Sequence, residues 1–173
     1  IDSRGNIYIL QPPVNSGDLV FKFDHQGHFI SSFGRKGQGP GELQWPQYVR
    51  INHYDEILVH DSPMRKIFVY NNEGVLLREW TMAPDIMEIT PLPDGNFLVL
   101  FEHTDDLSEE YCALSYWICD STLKKIIELE RFSKIPNLMR IQQTKEKINN
   151  GIGYVFTAAV SNDRIFIGDS ENG

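Results

Sequence analysis

Short apolar runs, each entered through a polar turn, recur along the chain. The pattern occurs four times, at Asp2–Leu10, Asn52–Asp61, Pro93–Leu100 and Ser161–Asp169. Runs of this length, rich in β-branched and aromatic residues and bounded by Gly, Asn and Asp, are typical of β-strands entered through hairpin turns. The longest continuous apolar run, Phe97–Phe101, is far shorter than the roughly 20 residues that a membrane-spanning helix needs. The pattern therefore predicts an all-β chain without a membrane span.

A second pattern, in which two strands flank a tight turn, follows three of these four segments. It covers Val20–Ile30, Ile67–Leu77 and Trp117–Ile126. The turn glycines Gly27 and Gly74 lie 47 residues apart, and the turn aspartates Asp24 and Asp120 lie 96 apart, which is two periods of 48. A repeat of this length made of short strands indicates the blades of a β-propeller. Gly27 and Gly74 should supply the left-handed residue of their turns, whereas Leu123 in the third copy predicts a different turn.

The connector between the first two repeats is the most distinctive segment of the chain. Residues 34 to 46 contain four glycines, followed by Glu42, Leu43, Trp45 and Pro46. With the repeated strands, this segment resembles the NHL-repeat family of six-bladed β-propellers, whose connectors end in Gly-Glu-aromatic and lead through a proline into an inner strand. Leu43 stands where that family usually has Phe. The resemblance implies a propeller fold and says little about activity, because one fold supports many functions.

The repeats divide the chain into about three and a half blades of four antiparallel strands. The predicted blades cover approximately residues 1–51, 52–92 and 93–160, with an incomplete blade at 161–173. A propeller closes into a ring in which every blade has two neighbours. We therefore expect the remaining blades to come from a longer chain or from a second copy of this one.

One stretch of the chain is about twenty residues longer than the repeat. Gly95 and Asp163 lie 68 residues apart, whereas one blade needs about 48. Between 133 and 150, apolar residues recur at helical spacing, with Pro136 near the start and Gly151 after the end. This spacing predicts one short helical insertion over approximately 133–150. On a propeller rim such an insertion is either a lid or partner-binding element, or a segment that covers the edge of a blade.

Charge and cysteine content narrow the possible partners. The 173 residues carry a net charge of −8, which disfavours the nucleic-acid binding known for some NHL propellers, because phosphate recognition needs a basic surface. Cys112 and Cys119 are the only two cysteines, without a second pair at metal-binding spacing, and an extended strand would hold them too far apart for a disulfide. Free thiols are expected, and no metal or cofactor is predicted.

Candidate binding residues come from the connector and the strand ends. The Gly34–Gly41 run could present N–H groups to an anion, but it lacks the Gly-Lys-Ser/Thr ending and leads into a strand, which favours a turn between blades. Arg35 and Lys36 could contact an acidic partner from this turn, and Arg65 is the basic residue after the second inner strand. His60 and His103 occupy comparable strand ends in successive repeats and could meet at the mouth of a channel, or they could simply be polar surface residues.

These features give two functional hypotheses. The first is a non-enzymatic binding or scaffold module that recognises a protein, peptide or glycan through its rim loops, with ligand-binding residues Arg35, Lys36, His60, Arg65 and His103. The second, implied by resemblance to enzymatic six-bladed propellers, is a metal-dependent hydrolase or lyase with its site in the channel. No residue here matches the motifs of those enzymes, so no catalytic residue is predicted. The resemblance also implies a periplasmic or extracellular location, as in exported bacterial proteins.

Overall fold

The computed structural model describes residues 1–14, 16–103, 111–136, 157–161 and 164–168, and these residues form antiparallel β-strands joined by turns. The chain divides into two compact units, Ile1–Pro84 and Asp85–Gly173. In the described ranges, no helix is long and apolar enough to cross a membrane. The predicted all-β class and the antiparallel blades are confirmed.

The first unit contains two sheets, each with its strands hydrogen-bonded in chain order. Strands β1 (Ile7–Leu10), β2 (Asp18–Phe23) and β3 (Phe29–Arg35) form one sheet, and β4 (Pro46–Ile51), β5 (Ile57–Asp61), β6 (Lys66–Tyr70) and β7 (Leu76–Thr81) form the other. Their core joins inward-facing residues of both sheets to one residue of the connector. Its buried members are Tyr8, Leu19, Val20, Phe33, Leu43, Ile57, Val59, Phe68 and Tyr70.

The second unit repeats this plan with a longer sheet. Strands β8 (Ile86–Pro91), β9 (Phe97–His103), β10 (Tyr111–Cys119) and β11 (Lys125–Pro136) form a four-stranded sheet, and β12 (Thr157–Ser161) pairs with β13 (Arg164–Gly168). Leu92, Leu98 and Tyr116 form a buried cluster, against which Ile165 of β13 packs. The second unit thus also buries apolar side chains between successive sheets.

Hydrogen bonding divides the chain one strand earlier than the sequence repeat suggests. The strands that precede the predicted boundaries at 52, 93 and 161, namely β4, β8 and β12, pair with the sheet that follows and not with the sheet before. The sequence pattern begins at the turn into the second strand of each sheet, because that turn is more distinctive than the first strand. The first strand of each of these sheets therefore lies before the turn at which the sequence pattern begins.

The predicted helical insertion begins too early. Ser133 to Pro136 continue strand β11, in which Ile135 is paired with Cys112 and Pro136 with Tyr111 of β10. Pairing with β10 fixes this backbone as a strand, and apolar spacing over so few residues could not distinguish the two conformations. Residues 137–150 lie outside the described residues, so the remainder of the insertion stays a prediction.

In the described residues, six turns of five residues share one geometry. In each, the N–H of the first residue donates to the carbonyl of the fifth, and the N–H of the fourth donates to the carbonyl of the first, as in Asp24–His28. The fourth residue is left-handed, with φ of 87° at Gly27 and 82° at Gly74, as predicted. Leu123 takes the same conformation, with φ of 65°. The different turn expected there was wrong, because the turn's hydrogen bonds hold even a side-chain-bearing residue in this region.

In five of these six turns, the side chain of the first residue accepts backbone hydrogen bonds from the same turn. The first residue is Asp or Asn, and its Oδ1 accepts the N–H groups of the third and fifth residues; for Asp24 these lie 2.8 and 2.9 Å away, on Gln26 and His28. The same contacts are made by Asp2, Asn52, Asn71 and Asp120. Such turns satisfy most of their own backbone hydrogen bonds.

Candidate functional site

The connector of residues 36–45 between β3 and β4 folds back on itself. The N–H of Leu43 donates to the carbonyl of Arg35, and the N–H of Gly37 donates to the carbonyl of Leu43, both at 2.9 Å. A parallel bridge pairs Lys36 with Leu43. The Leu43 side chain is fully buried in the core of the first unit. The connector is therefore an ordered part of the fold, anchored by an apolar side chain.

The glycines of the connector surround a carboxylate that belongs to the connector itself. The N–H of Gly39 donates to Oε2 of Glu42 at 2.9 Å. A Cβ added to Gly37 would lie 1.8 Å from the same oxygen, and one added to Gly39 would lie 3.1 Å from it. The glycines leave the space that Glu42 fills, so the Gly39 N–H group that could have held an external anion is already occupied. This agrees with the predicted turn and disfavours a phosphate cradle.

A buried carboxylate ties the connector to the turn between β5 and β6. Asp61 is fully buried at the end of β5. Its Oδ2 accepts the N–H groups of Gln44 at 2.6 Å and Trp45 at 3.0 Å, and its Oδ1 accepts the N–H of Met64 at 3.4 Å. A buried charge is tolerated where hydrogen bonds replace water, as these do. Asp61 thus acts as a positioning residue for both segments.

A lysine ties the other end of the connector to the loop between β1 and β2. The ammonium of Lys36 donates to the carbonyl of Pro13 at 2.5 Å, and its backbone N–H donates to the carbonyl of Gly17 at 2.8 Å. The charge of this predicted binding residue is therefore directed at the protein's own backbone. Lys36 helps to hold the connector in place.

Between the connector and the β5–β6 turn lies an open groove of about 340 Å³. It is lined by Lys36, Gly37, Gln38, Gln44, Trp45 and Pro63. Trp45 is 57% exposed, although tryptophan is usually well buried in folded proteins. One indole beside two amide side chains suits a ligand that has an apolar face and several hydrogen-bonding groups. The groove falls within the usual size range of small-ligand sites.

The predicted basic residues are partly brought together at this groove. Lys36 lines it, and Arg65 is exposed in the turn that contributes Pro63, with φ of 49° and its carbonyl accepting the N–H of Met82. Arg35 is exposed at the end of β3, paired with Asp18 of β2. Trp45, which lines the groove, and Asp61, which holds the connector, are not among the residues predicted from the sequence. Trp45 could have been found as a large aromatic residue in a glycine-rich loop, where few neighbours can bury it.

The two predicted histidines do not occupy comparable positions. His60 follows the left-handed residue of its turn, Asp55, by five residues, whereas His103 follows Gly95 by eight. An odd difference places the two side chains on opposite faces of their sheets, because side chains alternate along a strand. His60 lies in the first unit, buried, with its ring 4.6 Å from that of Tyr48. His60 and His103 are therefore not equivalent by strand register.

His103 makes a buried hydrogen bond that superficially suggests a catalytic pair. Its Nε2 lies 2.8 Å from the hydroxyl of Ser115, and Oε1 of Glu128 lies 3.8 Å from that same nitrogen. A catalytic triad needs the carboxylate on the other ring nitrogen and an accessible hydroxyl, whereas Ser115 is fully buried. A hydrogen bond from Lys125 lowers the pKa of Glu128. The arrangement is structural and does not place a nucleophile at a surface.

The side chains that the structure describes include neither a metal-binding group nor an exposed thiol. Among them, no three His, Cys, Asp or Glu side chains are grouped so that they could hold a metal ion. Cys119 is a buried free thiol in β10, and burial raises its pKa. A buried thiol of raised pKa is a poor nucleophile and a poor metal ligand.

Comparison with known proteins identifies the architecture. A sequence-family profile described as a six-bladed β-propeller matches residues 2–167. A candidate exported protein from Bacteroides fragilis NCTC 9343 has a similar structure, with a TM-score of 0.61 and 22% identity, over 79% of this chain and 37% of that one. A protein of unknown function from Bacteroides caccae gives a TM-score of 0.42 and 13% identity, over 76% and 41%. No curated protein matches the chain.

Proposed function

The chain belongs to a family of six-bladed β-propellers, DUF5128, and we propose that it is a non-enzymatic binding module. Its ligand, a protein, peptide or glycan, is recognised at the groove between the 36–45 connector and the β5–β6 turn. The observation that carries this proposal is an ordered connector that presents Trp45, 57% exposed, beside a groove of about 340 Å³. Exposed aromatic residues on rigid loops are typical of recognition surfaces.

The groove's walls support recognition more than chemistry. Two hydrogen bonds from the N–H groups of Gln44 and Trp45 to the buried Asp61 carboxylate hold the aromatic residue before any ligand arrives. A site that is formed in advance loses less conformational entropy on binding. The alternative proposal is a metal-dependent hydrolase or lyase with its site in the channel of the propeller.

Two finer statements belong to the same proposal. We propose that the repeats are of the NHL type. The likeness of the connector to NHL repeats supports a rim loop as the binding element. Export to the periplasm or cell surface is proposed because a structurally similar protein carries the description of a candidate exported protein. The chain spans 37% of that protein's length, so the partners of a complete ring, including further blades in a longer chain or a second copy, are likewise proposals.

Binding of the chain to a peptide library and a glycan array tests this function. Three proteins are compared: the unaltered chain, Trp45→Ala, and Tyr54→Ala as a matched control, because Tyr54 is an exposed aromatic residue of a hairpin turn. The expected result is a ligand bound equally by the unaltered chain and Tyr54→Ala, and at least tenfold more weakly by Trp45→Ala. A ligand bound equally by all three proteins would overturn the assignment of the groove.

A further inference from the structure

We infer that the groove takes a neutral carbohydrate, with one sugar ring stacked on Trp45 and its hydroxyl groups bonded by the amides of Gln38 and Gln44. This inference rests on the proposed binding function and specifies its ligand class. It follows from three properties of the groove: its charge, the polar groups left available, and the exposed indole.

Lys36, the charged residue that lines the groove, and Glu42 of the same connector already have partners. The ammonium of Lys36 donates to the carbonyl of Pro13, and the carboxylate of Glu42 accepts the N–H of Gly39. A charged ligand would have to compete with these contacts. The whole chain carries a net charge of −8, which further disfavours anionic ligands such as acidic polysaccharides. A ligand without charge fits this surface best.

Three backbone donors of the connector that line the groove are also in use. The N–H of Gly37 donates to the carbonyl of Leu43, and the N–H groups of Gln44 and Trp45 donate to Asp61. A peptide bound as an added strand needs a row of unpaired backbone groups, and these three cannot provide it. The uncharged polar side chains that line the groove are the amides of Gln38 and Gln44, each of which can both donate and accept. Sugar hydroxyls also both donate and accept, so they match such amides.

The exposed indole supplies the apolar contact. The face of an aromatic ring carries partial negative charge and attracts the weakly positive C–H groups of a flat molecule. One side of a sugar ring presents such C–H groups, while its hydroxyls point outward along the ring edge. A ring placed on Trp45 would therefore direct hydroxyls toward the glutamine amides that line the same groove. The apolar and polar requirements of one sugar ring are met together.

Titration with defined oligosaccharides tests the inference. The probes are cello-, xylo-, manno-, malto- and chito-oligosaccharides of two to six units, all neutral (the chito series N-acetylated), with binding followed by tryptophan fluorescence and calorimetry. A carboxylated probe, oligogalacturonate, and a proline-rich peptide library serve as alternatives. We expect at least one neutral series to bind, with affinity reduced tenfold or more in Trp45→Ala and less in Trp45→Phe, which keeps an aromatic face. Tyr54→Ala should bind as the unaltered chain does.

Each outcome is decisive. Neutral oligosaccharides that bind in a Trp45-dependent way confirm the inference. Trp45-dependent binding of peptides alone, or of oligogalacturonate alone, overturns it and leaves the proposed binding function intact. Failure of every probe, or binding that Trp45→Ala leaves unchanged, overturns both. Trp45→Phe, checked by circular dichroism, preserves the test if Trp45→Ala does not fold.

Discussion

The five-residue turns and the 36–45 connector find hydrogen-bond partners for their backbones in different ways. A turn such as Asp24–His28 uses acceptors from its own five residues, so the same solution recurs six times in the described residues. The connector depends on distant groups, among them the carboxylate of Asp61 and the carbonyl of Pro13. Self-sufficient turns can be repeated to build a scaffold. A segment that needs partners from two sheets can hold a particular surface, and the candidate site lies there.

The largest expected effect comes from removing the distant partner. Asp61→Ala leaves the N–H groups of Gln44 and Trp45 without their acceptor and should lower the free energy of unfolding by about 2 kcal/mol. Urea denaturation measures this loss. Asp94→Ala is the matched control, because Asp94 is exposed and accepts one backbone N–H within a turn. Equal losses in the two variants would remove the distinction between connector and turn.

A double-mutant cycle sharpens the role of the glycines. Gly37→Ala should displace the Glu42 carboxylate, because the new Cβ would lie 1.8 Å from Oε2. Glu42→Ala removes the same contact with Gly39, so each change should cost about 1 kcal/mol. Both changes together should cost about as much as one alone, since residues that share one contact are not additive. Additive losses in urea denaturation would show that Gly37 acts independently of Glu42.

Two substitutions at the same turn position should act in opposite directions. Leu123→Gly relieves a left-handed side-chain-bearing residue and should raise the free energy of unfolding by about 1 kcal/mol. Gly27→Ala should lower it by about 1 kcal/mol, through backbone strain alone, because the added Cβ meets no atom within 4 Å. Thermal and urea unfolding of both variants check this. Changes of the same sign would contradict a shared turn geometry.

The smallest effect should be visible only in acid. The backbone N–H of His28, with the other donors of its turn, lowers the pKa of Asp24. A carboxyl whose pKa is lower in the folded chain contributes stability above its unfolded pKa, near 3.8, and this is lost as the pH falls through the folded value. Asp24→Asn keeps the acceptor, as Asn52 and Asn71 do in their turns. It should change stability little at pH 7 and flatten the fall of the unfolding free energy below about pH 4.

Urea unfolding at a series of pH values from 7 to 2 measures that slope. Glu73→Gln is a suitable control, because it also removes one carboxyl but lies in a turn whose first residue is Asn71. If the unfolding free energy of Asp24→Asn fell with pH as steeply as that of the unaltered chain, the ionised turn carboxylate would have no stabilising role.

Local sequence patterns predicted the local structure. The features that depend on contacts between distant residues could not be predicted from the sequence. The strands, the repeat length and the left-handed Gly27 and Gly74 follow from short-range rules. Leu123 was mispredicted because hydrogen bonding outweighed its preference, and the helix expected from 133 began too early because β10 pairs with that segment. The contacts of Asp61 cross 16 to 17 residues, so no pattern in the sequence could indicate that its carboxylate holds the connector.

Hydrogen exchange of individual backbone amides, measured by nuclear magnetic resonance on the chain without ligand, tests the central claim most directly. If the connector forms the groove in advance, the amides of Gln44 and Trp45 exchange slowly, because both donate to a buried carboxylate. Their protection should disappear in Asp61→Ala and persist in Asp94→Ala. Fast exchange at both amides in the unaltered chain would contradict a preformed groove.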